Sequence, residues 1–120
     1  MLARQKPLAM FYAYVEELPN EDLIPESSFE VHVATGLFVR DERIYEFRGD
    51  NPAATRLVKY VFFALKLEEW RISAMKLVVA TSHRMGGWHE ALERLEGALL
   101  GYSEEQIDNY CKRLFSKSAV

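Results

Sequence analysis

Three histidines, one cysteine and several paired carboxylates are the residues in this chain whose types could do chemistry. His83, His89, Glu90 and Glu93 fall within eleven residues, and His89 and Glu93 are spaced one helical turn apart. Zinc takes about four converging nitrogen, sulfur or oxygen ligands. Here Gly86-Gly87 interrupts the group between the two histidines, and residue 93 is Glu where an HExxH site would place its second His. A solvated helix face carrying a Glu90–Arg94 pair accounts for these residues, so no metal and no cofactor is expected. Cys111 lies on the apolar stripe of the last predicted helix, where a thiol behaves as a small inert hydrophobe. Ser82-His83 are only chain neighbours, and no strained Gly-x-Ser-x-Gly turn exists to expose a nucleophile. Glu68-Glu69 and Glu104-Glu105 are explained as helix-start acids favoured by the helix dipole. No residue earns a catalytic assignment, and the reading leans away from an enzyme.

Phosphate chemistry is no better supported, because the glycines at 36, 49, 86, 87, 97 and 101 form neither a dinucleotide-binding fingerprint nor a P-loop. Arg48-Gly49-Asp50-Asn51, feeding a helix start, offers only the weak anion affinity of any such terminus. The most suggestive group is Arg56, Lys59, Phe63 and Lys66: on a helix, the three cations would form a narrow polar stripe with an aromatic in its middle. An aromatic ringed by charge suits a protein interface. Single-strand nucleic-acid binding ranks below it, since three cations are few and the chain is net negative. Between Pro7 and Val39 there is no Lys or Arg, against the six acids Glu16, Glu17, Glu21, Asp22, Glu26 and Glu30. That strip repels phosphate and would complement the basic stripe of a second copy, giving a homodimer.

The elements that must position these groups can be read from punctuation and period. Residues 8–18 carry Leu8, Phe11, Tyr14, Val15 and Leu18 at helical spacing and predict a helix. Pro19 to Ser28 reads as a loop. Phe29, Val31 and Val33 alternate with polar residues as in a half-buried strand, and LFVR and RIYEF flank Asp41-Glu42 as a hairpin would. Asn51-Pro52 is a helix-start signal, predicting a central helix to about Leu67. Residues 68–85 contain no Gly, Pro, Asn or Asp and predict a second helix, with a buried strand over 76–82 as the alternative suggested by Leu77-Val78-Val79. Residues 88–100 form a clear amphipathic helix; Gly101 ends it, and a Ser103-to-Gln106 capping box starts the last one. The stretch WHEALERLEGALLGYSEEQID is similar to the closing helical hairpin of many small bacterial proteins, but carries no motif with a mechanism.

With 120 residues, 49% hydrophobic and 28% charged, the chain has the composition of a single globular domain. No apolar run is long enough to span a membrane, no signal peptide is evident, and a lone cysteine suits a reducing cytoplasm. The expected fold is α+β: a small antiparallel sheet near residues 28–48, packed by an N-terminal helix and three or four C-terminal helices. The expected role is a cytoplasmic interaction protein, homodimeric or adaptor-, immunity- or antitoxin-like, with Arg56, Lys59, Phe63 and Lys66 as its partner-binding group. The alternative is a small-molecule or metal-binding protein, or an enzyme, with a pocket near His32, His83 and His89.

Overall fold

The computed structural model describes residues 6–47, 55–86 and 89–116. Strand β1 spans Leu8–Tyr14, helix α1 Glu26–Ala34, β2 Phe38–Phe47 and β3 Arg56–Leu65; three helices follow, α2 Trp70–Met85, α3 Glu90–Leu99 and α4 Glu104–Ser116. The strands form one antiparallel sheet in the order β1-β3-β2. The α+β class holds; of the sheet expected near residues 28–48 only β2 lies there, and β1 and β3 come from segments read as helices.

β3 explains the largest difference. RLVKYVFFAL was read as a central helix, but it is the middle strand, covered on both faces, so its inner and outer positions are both apolar and the two-residue period vanishes. Val61 and Phe63 face α1, while Phe62 and Ala64 face α2; none of the four is more than 1% exposed. β1, expected as a helix, supplies an edge whose Leu8, Met10 and Tyr12 pair with Ala64, Phe62 and Tyr60. The expected strand at 28–34 is α1 instead. Its Phe29 and Val33 lie one helical turn apart and reach the sheet, with Phe29 stacked on Phe63 at 4.1 Å, whereas Val31 is left 66% exposed. Nor does the chain turn at Asp41-Glu42. β2 runs straight through, because Asp41 meets Lys76 of α2 at 2.5 Å while Glu42 meets Arg40 at 2.9 Å and Lys59 at 3.5 Å.

The second half follows its reading more closely. α2 is helical throughout, which removes the strand alternative at 76–82, and it buries Ile72, Met75, Val78 and Val79 against the sheet. The capping box is present: Gln106 accepts from the Ser103 backbone N–H at 2.9 Å, and the Ser103 hydroxyl accepts from that of Gln106 at 3.1 Å. Arg71 donates to the carbonyls of Ala98 and Leu99, both at 3.0 Å, and so ties the C-terminal end of α3 to the start of α2. The Asn51-Pro52 start signal, the Arg48-to-Asn51 turn and Trp88 lie outside the described residues.

Candidate functional site

The period of β3 decides where the proposed binding residues go. On a strand, Lys59 and Phe63 share one face and Arg56 belongs to the other, so the helical stripe does not form. Phe63 is core. The Arg56 guanidinium lies 3.3 Å from the centre of the Tyr14 ring and bonds Glu16, while Lys59 pairs with Glu42. Thus part of the acidic strip meets the basic residues within the same chain. Lys66 stands exposed on the short turn Lys66–Glu68.

The three histidines separate as well. His32, on α1, packs against Phe38 on the face of the sheet away from α2. His83 and His89 line a single cleft of about 340 Å³ between the sheet, α2 and α3. Its base is Tyr60, at the middle of β3. The register sets Tyr12 directly across from Tyr60, and the two rings stack with centroids 5.1 Å apart. Tyr45 meets Tyr60 edge-on at 5.4 Å and stacks almost parallel on the His83 imidazole at 5.3 Å. Phe47 presents its edge to the same imidazole at 6.3 Å.

The polar groups are few and placed from two helices. Nε2 of His83 lies 3.1 Å from the Tyr60 hydroxyl. Burial lowers the His83 pKa and raises that of Tyr60, so the imidazole is neutral and the phenol protonated at neutral pH. In the tautomer protonated at Nδ1, Tyr60 donates to Nε2. That contact occupies the nitrogen a neighbouring serine would need, and Ser82, though it lines the cleft, makes no hydrogen bond to His83. His89 is held by a 2.8 Å contact between Nε2 and the Gly86 carbonyl.

The opposite wall is acidic. Glu93 and Glu96 stand one turn apart on α3 and both line the cleft. Burial raises both carboxyl pKa values, and the neighbouring charge of Glu93 adds to the effect at Glu96, which is pushed up to about 7. A Tyr110 hydroxyl donates to Glu93 and partly offsets its shift. No Lys or Arg among the described residues ion-pairs with either carboxyl. Two half-buried acids without a cation, facing aromatic rings, form a surface suited to a positively charged organic group.

Sequence reasoning named His83 and His89 for this site but missed Tyr12, Tyr45, Tyr60, Phe47 and Glu96. The only available signal was the recurrence of tyrosine within apolar segments, which becomes a site once the strand register is known. Among the described residues no group of three or more His, Cys, Asp or Glu could hold a metal, and no helix is long and apolar enough to cross a membrane. Comparison of the chain with protein-family models, curated proteins and solved structures finds no match.

Proposed function

We propose that the protein binds a small organic cation, of the substituted-ammonium class, in the cleft between β3, α2 and α3. The observation that carries this reading is the pairing of an aromatic wall, Tyr12, Tyr60 and Phe47, with Glu93 and Glu96, which lack a cationic partner among the described residues. A cation against such rings gains about 0.5–2 kcal/mol per ring, the higher end when water is excluded. The carboxylates supply the long-range attraction, and a bound cation offsets both the burial and the Glu93 charge that raise the Glu96 pKa. Binding rather than turnover is the better-supported role, since the one imidazole against a hydroxyl is committed to Tyr60. The lone, buried Cys111 supports placing the protein in a reducing compartment such as the cytoplasm.

Calorimetric titration with choline at pH 8 tests the reading. The expected result is saturable binding that weakens about tenfold in Glu96→Gln, the loss of one charge-assisted contact worth about 1.4 kcal/mol. Glu105→Gln, on the exposed start of α4, is expected to bind as the wild type does. No saturable heat, or equal affinity in Glu96→Gln, would refute the assignment.

A further inference from the structure

The cleft does not end at Tyr12. A second cavity, of about 310 Å³, shares Tyr12, Phe47, Tyr60 and His83 with it and continues to Tyr14, the last residue of β1. The register explains this continuity. Tyr14 pairs with Val58 two residues beyond the Tyr12–Tyr60 pair, and alternate residues of a strand share a face, so one side of the sheet floors both cavities. Met10 lines the cleft together with Glu93 and Glu96, and Tyr14 lines the second cavity together with Glu17. Four residue steps of extended strand, about 14 Å, separate Met10 from Tyr14. The two cavities are one groove, longer than a single ammonium group requires. Its ends carry charge of the same sign. Glu93 and Glu96 stand at one end; at the other, Glu17 is exposed, and its carboxylate has no hydrogen bond or ion pair among the described residues. No Lys or Arg lines either cavity. Arg56, which lies over the Tyr14 ring, is outside the lining and is bound to Glu16.

We infer that the groove binds a linear polyamine, with one terminal ammonium group at Glu93 and Glu96, the other at Glu17, and the carbon chain between them on Tyr12 and Tyr60. This rests on the reading of the cleft as an organic-cation site and names the class of cation. Each ammonium group donates to carboxylate oxygens in charge-assisted bonds. The methylene groups between them lie on apolar ring surface rather than on buried polar groups, since the one imidazole shared by both cavities, His83, is neutral and already bonded to Tyr60. Glu17 on its own, an exposed carboxylate, would hold a cation weakly. Its contribution comes from linkage: once the first ammonium group is seated, the second contact is intramolecular, and the two-ended ligand binds more tightly than either end alone. A ligand with a single cationic group, such as choline, uses only the Glu93–Glu96 end.

Calorimetric titration of the full chain with choline and with spermidine, at pH 8 and physiological salt, tests this. Spermidine is expected to bind at least about tenfold more tightly than choline. Glu17→Gln, a change at an exposed side chain whose folding circular dichroism confirms, is expected to remove that advantage and to leave choline affinity unaltered; Glu105→Gln is expected to alter neither. A series of unbranched diaminoalkanes gives a readout that needs no variant: affinity for the wild type is expected to step up at the chain length that reaches Glu17 and to show no step in Glu17→Gln. Choline binding with spermidine no tighter, spermidine affinity equal in Glu17→Gln and wild type, or an equal loss in Glu105→Gln would each overturn the inference while leaving the cation site in place. Absence of saturable binding by both ligands would overturn the two readings together.

Discussion

Glu96 is the residue on which the account of the cleft depends. Its carboxyl has an ordinary value of 4.5 and is raised by burial and by Glu93 to about 7, so at neutral pH it is only partly ionised. A cationic ligand requires the ionised form, and affinity for choline is expected to rise about tenfold between pH 6 and pH 8, measured by titration at each pH. Stability should move the other way. The folded protein holds the Glu96 proton more tightly than the unfolded chain does, so this group favours folding below pH 4.5 and that contribution is lost as pH rises through 7. Denaturant unfolding at pH 8 should therefore show Glu96→Gln about 1–2 kcal/mol more stable than wild type, a margin that disappears near pH 4.5. The depressed His83 acts with opposite sign below its ordinary 6.5, which is why the difference between variant and wild type is the quantity to compare. None of this was legible from Glu96 in the sequence, where it reads as one acid on the polar side of a helix; its pKa is a property of where α3 comes to rest.

At the scale of elements, the helical C-terminal half was readable because each boundary is written locally: Gly101, the Ser103–Gln106 box, and the apolar stripe of α3. The sheet was not readable, and the reason is physical. Period two marks a strand only when one face meets water. β3 meets protein on both faces, and β1 combines aromatics on one side with Phe11 and Ala13 packed on the other. α1 shows the converse, a β-branched segment drawn into helix because Phe29 and Val33 find Phe63 beneath them. Gly101 joins the two halves. Its φ of +89° belongs to the left-handed region, and a Cβ there would stand 2.4 Å from Cδ of Pro7 at the start of β1. Gly36 has φ +82° but open space around it. Gly36→Ala should cost about 1 kcal/mol, from backbone strain alone, and Gly101→Ala at least about 2 kcal/mol, as strain and the Pro7 contact add. Thermal or urea unfolding of the two variants checks the ranking; equal costs would mean that the helical hairpin is not seated on β1.

Over the whole molecule, ion pairs within the chain form on both sides of the sheet. Of the cations expected to recruit a partner, Arg56 is taken up internally by Glu16 and Tyr14 and Lys59 by Glu42, while Lys66 stays exposed; Arg40 likewise meets Glu26 and Glu42. The net charge of −3 gave no hint of this pairing. What it leaves is an acidic, aromatic cleft on the α2–α3 side. The α+β class was legible in the sequence, whereas the site required strand order β1-β3-β2, since only that order sets Tyr12 and Tyr45 on either side of Tyr60.

The most direct test of the cleft compares choline with 3,3-dimethylbutan-1-ol, which has the same shape without the charge, in a heteronuclear NMR titration of the full chain at pH 8. Choline is expected to shift Tyr12, Tyr60, His83 and Glu96 saturably and the alcohol to produce no saturable change there. Equal responses to the two ligands, or choline shifts confined to other parts of the chain, would contradict a cation site in the cleft.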